Sequence, residues 1–254
     1  MRSRYIDIDD RSQDLAEILG DEPEVGAEFL KVYELSWLHH ENALEGAVYT
    51  AQELSQALHN HPVNDSISIA AHREVRNHKA AIDLIRAEAK QKRLKINMAV
   101  VKRLYETLGQ GFEHRQAAEL RKEMPLHRAY FHEIAQPAKI QPLLAKLFEQ
   151  ADSAEFRSTH PVQQASRIHH GFMQIYPFTE NSGKVARLLA NLLLLHAGLL
   201  PCIIHSIDRQ RYYDSLKQPE TALRELMLEA IENGLVNAEK LVREARAERR
   251  KLAR

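Results

Sequence analysis

Apolar residues recur at spacings of three and four along nearly the whole chain, and glycines and prolines gather at the joints between those stretches. Such spacing lines one face of a helix, so the chain reads as a string of helices. One runs from Glu28 to Leu44 and stops at Gly46, a residue suited to the left-handed turn that ends many helices. Thr50-Ala-Gln-Glu53 is a capping box that opens a short helix through Leu58. The segment from Asn60 to Asp65, which contains Pro62, is a loop. A long helix from about Ile67 to Gln91 and another from Met98 to Leu108 follow, and Gly109-Gln-Gly111 breaks the pattern.

Residues 112 to 138 lack a helical period, and His127 to Ile134 is the one part that could pair as a short β-hairpin. Beyond it, Pro142 opens a helix through Ala151 and Pro161 opens another through Ile175. The most apolar window, Val185 to Leu200, is interrupted by Arg187, Asn191 and His196 and falls short of the ~20 apolar residues of a spanning helix, so it predicts a core helix. Arg209 to Leu216, Glu220 to Asn233 and Val236 to the end complete the series. No internal repeat appears.

Composition narrows this picture. With 254 residues, nine glycines, 44% apolar residues and few aromatics, the chain is expected to form one helix-dominated unit with a well-buried core. The 35 basic and 35 acidic residues cancel, so net charge makes no case for nucleic acid as a partner. The basic C-terminal stretch from Arg243 to Arg254 is diluted by glutamates and reads as a solvated helix face. The single cysteine, Cys202, sits beside apolar neighbours and reads as a buried thiol in a reducing compartment. Met1 to Asp7 lacks the apolar run of a secretory signal, and nothing reads as a membrane span. A cytoplasmic location is the expectation, although export by a dedicated bacterial machine would leave no such mark.

The most informative stretch is Ile175-Tyr-Pro-Phe-Thr-Glu-Asn-Ser-Gly-Lys-Val-Ala-Arg-Leu-Leu189. A polar, turn-forming loop there runs into an apolar helix whose start exposes free N–H groups and the positive end of the helix dipole. Lys184 and Arg187 fall three apart on its first turn. That combination is an anion site, and phosphate is its natural guest.

The segment resembles the signature of the Fic (filamentation induced by cAMP) family, whose pattern is His-Pro-Phe-x-Asp/Glu-Gly-Asn-Gly-Arg-x-x-Arg. Pro177, Phe178, Glu180, Gly183 and Arg187 match in register. Tyr176 stands in place of the family's catalytic histidine, Asn181 in place of its first glycine, Ser182 in place of its asparagine and Lys184 in place of its first arginine. Flanking stretches are similar too, from Ile168 to Ile175, from Leu188 to Ile204, and at Arg209, Tyr212 and Tyr213. Ala129 to Ala135 falls where the family carries a hairpin flap that aligns a target peptide. The resemblance covers roughly residues 96 to 235 and implies an all-α Fic-type bundle with that flap. Residues 1 to 95 are then an N-terminal helical region, and 236 to 254 a basic C-terminal helix.

What the resemblance implies is transfer of a nucleotide moiety, usually AMP from ATP, or of a related phosphate-containing moiety, to a protein hydroxyl. Glu180 would hold Mg²⁺, and Asn181, Ser182, Gly183, Lys184 and Arg187 would bind the phosphates. Gly183 allows close backbone approach, Asn181 tolerates positive φ, and Lys184 keeps charge but loses the planar fork. Tyr176 changes the chemistry most, because a phenol of pKa near ~10 is a poor base where an imidazole near ~6.5 is well matched. It could act as a perturbed base or a donor, could itself receive the nucleotide, or could mark a pseudoenzyme that serves as a regulatory or interaction protein. His169 and His170 read as core histidines rather than substitutes. A kinase-like branch of the family is a further alternative.

Family members often carry an inhibitory helix with the pattern Ser/Thr-x-x-x-Glu-Gly/Asn, and Glu41-Asn-Ala-Leu-Glu45-Gly46 resembles it, with Glu41 replacing the Ser/Thr. The resemblance implies that Glu45, on the helix of about residues 28 to 45, pairs with Arg187 and obstructs ATP. Replacing Glu45 with glycine is then expected to raise ATP affinity. The implied partner is a target protein that the residues do not name, and self-association is left open.

Overall fold

The computed structural model describes residues 2–59, 65–113, 117–125 and 132–252, and the regular structure among them is helical. In chain order the helices are α1 (Arg2–Asp21), α2 (Pro23–Leu44), α3 (Ala51–Leu58), α4 (Ser66–Ala89), α5 (Met98–Gly109), α6 (Ile140–Asp152), α7 (Ala154–Arg157), α8 (Pro161–Ile175), α9 (Ser182–His196), α10 (Arg209–Ser215) and α11 (Glu220–Leu252). Short 3₁₀ turns precede α6 and α10. No described helix is long and apolar enough to cross a membrane.

Local chemistry sets the ends. Thr50 and Glu53 form the expected capping box, the Glu53 N–H donating to Thr50 Oγ1 at 3.2 Å and the Thr50 N–H to Glu53 Oε2 at 2.7 Å. Asp65 caps α4 by accepting from the Ser68 N–H at 2.8 Å. At the end of α2, Gly46 adopts φ +95°, its N–H donates to Ala43 O, and the Ala47 N–H reaches back to Asn42 O, each at 3.0 Å. That is the Schellman arrangement, which places Glu45 as the C-cap of α2.

α8 and α9 pack along one another across the short loop 176–181, and α4 and α5 cover α9. α6 packs on the outer side of α8, α11 spans α8 and α2, and α1 lies against α11 and α2. α9 is the central element, because every residue from Ser182 to Leu194 is buried. Each fully buried leucine or valine contributes about 1.5–3 kcal/mol. Packing α9 inside therefore drags Lys184 and Arg187 inside with it, at a desolvation cost of several kcal/mol per ion unless counter-charges are supplied.

Several expectations need correction. The helix at Arg2–Asp21 shows little amphipathic pattern and was not expected. It is held by Ile8 and Leu15 in the core and by Arg4 and Arg11 pairing with Glu232, Glu225 and Glu239 of α11. α2 begins at Pro23 rather than Glu28, and Pro142 lies inside the first turn of α6 rather than before it. α11 is continuous from Glu220, with no break near 235. Gly234 costs only ~1 kcal/mol against alanine and lies in the body of the helix, where Leu235 and Ala238 are fully buried. The basic end of α11 is drawn to the N-terminal helices, Arg246 pairing with Glu22 and Arg249 with Glu24. Most of the expected hairpin, residues 127–131, lies outside the described residues, and 132–136 have no regular structure.

Candidate functional site

The loop between α8 and α9 is built from the inside out. Phe178 is fully buried, its ring 4.2 Å from that of Tyr105 and 6.5 Å from that of Phe172. Ser182 Oγ braces the turn, accepting from the Phe178 N–H and donating to the Phe178 carbonyl, both at 2.9 Å. Two residues turn the chain with positive φ, Tyr176 (φ 47°, ψ 65°) and Asn181 (φ 59°, ψ 3°). For asparagine that conformation is ordinary, whereas for tyrosine it needs support.

Arg121 supplies much of that support. Its guanidinium is buried, and Nε donates to the Tyr176 carbonyl at 2.7 Å while Nη2 reaches the carbonyls of Ile175 and Ala135. Its own N–H donates to Pro177 O at 2.9 Å. Here a cation sits at the C-terminal end of α8, the electrostatically favourable place for it. The Tyr176 ring itself is half-buried and meets His132 edge-on at 6.3 Å between centroids.

At the start of α9 both cations are matched by carboxylates from the N-terminal helices. Arg187 donates from Nε to Glu41 Oε2 and from Nη2 to Glu45 Oε1, each at 2.6 Å, and from Nη1 to the Tyr212 hydroxyl at 3.2 Å. Lys184 Nζ donates to Glu74 Oε1 of α4 at 2.8 Å and to Asn42 Oδ1 of α2 at 3.2 Å. Arg187 and Glu41 are almost completely buried, whereas the Glu45 side chain keeps 33% of its surface. A Cβ added at Gly183 would lie 2.6 Å from Glu45 Oε1. The carboxylate of Glu45 thus rests against the backbone of Gly183 in the first turn of α9.

The electrostatics follow from burial. Desolvation works against the Arg187 charge, but Glu41, Tyr212 and Glu45 outweigh it and hold the guanidinium firmly protonated. Burial pushes the Glu41 carboxyl above the usual range, with Arg187 pulling it back. His78 of α4 is driven well below its ordinary value by burial and then by Lys184 and Arg187, so it is neutral. His169 is likewise neutral for reasons of burial, its Nε2 2.9 Å from Tyr212 Oη. That places His169 in the core network behind Arg187. His170 bonds the Gln218 carbonyl instead.

The fold therefore brings Glu45, Gly183, Lys184 and Arg187 together, with Asn181 and Ser182 at the helix start and Tyr176 and Glu180 on the approach to it. The Asn181 amide carries a buried Nδ2 donor with no hydrogen-bond partner. Glu180 is a half-buried loop carboxylate, and the described residues contain no cluster of three or more metal-ligating side chains. Lys184 points to Glu74 and Asn42, and the Ser182 hydroxyl is engaged with Phe178, so neither side chain lies free beside the loop. Sequence reasoning missed Glu41, Glu74, Asn42 and Arg121 as members of the site. For Glu41 a signal existed, because two glutamates at i and i+4 on one helix face repel unless a cation sits between them.

Comparison with known proteins is decisive for the fold family. Residues 95–194 match the model of the Fic/DOC family. The chain carries a Fic/DOC domain. It is 28% identical over 182 residues to protein adenylyltransferase Fic of Drosophila virilis, a match covering 71% of this chain and 36% of that one. The chain thus spans about a third of the length of such relatives. Among solved structures, Fic-1 from C. elegans superposes with a TM-score of 0.77 at 18% identity, covering 97% of this chain and 73% of that one. A complex of an IbpAFic2 variant with adenylylated Cdc42 gives a TM-score of 0.52 at 15% identity, covering 83% and 76%. These likenesses establish the fold, and the Fic/DOC match runs from the approach to α5 into the last turn of α9.

Proposed function

We propose that this chain binds ATP with Mg²⁺ at the start of α9 and transfers AMP to a hydroxyl group of a protein. Glu45 holds the reaction in check and Tyr176 slows it. One observation carries the reading, namely that the site already holds an anion. The Glu45 carboxylate occupies the cradle at Gly183 and engages Arg187 at 2.6 Å, so a phosphate oxygen would find the same donors. Asn181 Nδ2, a buried donor without a partner, suits the same guest.

The donor set fits a magnesium ion only in company with phosphate, since magnesium takes one or two protein carboxylates and fills its other positions with water and phosphate oxygens. Glu180 would hold it, and the ion would neutralise charge on the phosphates when bound. The remaining work belongs to the chain. Arg187 and the amides of Ser182, Gly183 and Lys184 fix the triphosphate so that the α-phosphorus faces the incoming hydroxyl. The hydroxyl oxygen forms a bond to that phosphorus, the bond to the β-phosphate oxygen breaks, pyrophosphate departs, and the proton passes to the phenolate oxygen of Tyr176, which stands in the place of the base. The adenylyltransferase name of the Drosophila relative and the adenylylated protein beside IbpAFic2 support a protein acceptor.

A second reading is a pseudoenzyme that regulates or binds another protein. Tyr176 in place of an imidazole, with Lys184 and Arg187 of α9 already ion-paired, favours it. The two separate in a labelling assay on a chain with Arg187 released, carrying Glu41→Ser with Glu45→Gly. Label from α-phosphate-labelled ATP is expected on protein after denaturation, with none from γ-labelled ATP. Absence of α-label at saturating Mg·ATP would leave the pseudoenzyme, and γ-label alone would make the protein a kinase.

A further inference from the structure

We infer that Glu41 is a second, independent lock on Arg187, so that releasing Glu45 alone leaves the nucleotide site closed. The inference rests on the phosphate-site reading above and concerns how that site is regulated. The two carboxylates take different nitrogens of one guanidinium, Glu41 the Nε and Glu45 the Nη2. Phosphate recognition by arginine uses paired donors in a planar fork, and Nε with Nη2 is such a pair, so a carboxylate on either nitrogen breaks the fork and supplies a like charge in place of the guest.

Depth ranks the two locks. Glu41 has only 2% of its side chain exposed, against 33% for Glu45, and its Oε1 has no hydrogen-bond partner. A buried pair is screened little by water or salt, whereas a pair at the solvent edge is screened much more. Glu41 is also the nearer to a fixed part of the fold, one turn back from the helix end. The neighbouring Asn42 holds Lys184 through Oδ1 and returns its own Nδ2 to the Leu38 carbonyl at 2.8 Å. The last turn of α2 thereby engages both cations of α9 at once.

That turn is itself pinned from the far side. Arg209 Nε donates to the Leu44 carbonyl at 2.9 Å and Tyr213 Oη to the same oxygen at 3.2 Å, just before the Schellman turn at Gly46. A rotamer change at Glu45, which lies at the helix end and half in solvent, leaves all of these contacts standing. Opening the site therefore requires the last turn of α2 to leave as a unit, with Glu41, Asn42 and Glu45 moving together.

The test is a cycle of four full-length proteins titrated with Mg·ATP by calorimetry: the native chain, Glu41→Ser, Glu45→Gly and the double variant. Either carboxylate alone suffices to block, so each single change is expected to raise affinity less than ~3-fold. The double change should exceed the product of the singles by about 10-fold, within the range for side chains that share one partner. Glu41→Gln, which keeps the shape and one acceptor, is carried alongside in case the serine variant loses helicity by circular dichroism. If Glu45→Gly binds as tightly as the double variant, the second lock is refuted while the phosphate site stands. If no folded member binds, the phosphate-site reading fails and the lock with it.

Discussion

Arg187→Ala is expected to melt about 10 °C below the native chain. Removing the guanidinium leaves the Glu41 carboxylate buried without the cation that Arg187 supplies, and breaking a buried pair from one side costs roughly 3–5 kcal/mol. For a chain of this size each kcal/mol shifts the midpoint by about 2–4 °C. The sign of the pH dependence follows from Glu41. Burial already raises its carboxyl above the ordinary range, and loss of Arg187 raises it further. A carboxyl raised on folding favours the protonated native state, so its penalty is absent below the unfolded value and grows as pH climbs through the folded one. The gap between native and Arg187→Ala midpoints should therefore narrow from pH 8 to pH 5. Adding Glu41→Gln to Arg187→Ala should recover most of the loss at pH 8. Scanning calorimetry of the three proteins at both pH values decides it, and an unchanged midpoint would mean that the pair contributes nothing to the fold.

Much of the architecture was legible because it rests on periodicity and punctuation. The capping box at Thr50, the stop at Gly46, the proline that opens α8 and the apolar run of α9 each have a local cause, and each appears where that cause sits. α1 was not legible, since its stability lies in contacts with α11 more than two hundred residues away. The uninterrupted course of α11 was obscured by Gly234, whose weak helix propensity is offset by packing that no local window contains.

At the site, the helix start and its cations could be read from the loop, but the destinations of their side chains could not. Lys184 looked like a second phosphate ligand, yet it serves Glu74 and Asn42, which arrive from α4 and α2. Arg121 sits in a stretch with no helical period, and its role in fixing the carbonyls of Ile175 and Tyr176 depends on tertiary contact alone. A buried cation announces that an anion must be near it, while its identity has to come from the fold. Three carboxylates answer two cations here, so the charge of the α9 cations is already matched within the fold.

Tyr176→His, introduced into the chain that carries Glu41→Ser and Glu45→Gly, is expected to raise AMP transfer by about 10²- to 10⁴-fold, the usual contribution of a well-matched general base. The backbone at this position is fixed by partners that ignore the side chain: the N–H bonds Phe172 O at 2.8 Å and the carbonyl bonds Arg121 Nε at 2.7 Å. Its left-handed conformation suits histidine, which is enriched there relative to most residues. The imidazole is also smaller than the phenol, so the half-buried site accepts it without repacking. Because the proposed phosphate donors, Asn181 to Arg187, do not include the side chain at position 176, Mg·ATP affinity should stay within about twofold while the rate rises, the pattern of a group that acts only in the chemical step. The pH profile supplies the signature. With histidine the rate should climb to a plateau through the imidazole range near ~6.5, a plateau that the tyrosine chain should lack. A rate that does not respond to the substitution, in a chain shown by calorimetry to bind Mg·ATP, would mean that position 176 does not face the transferred proton.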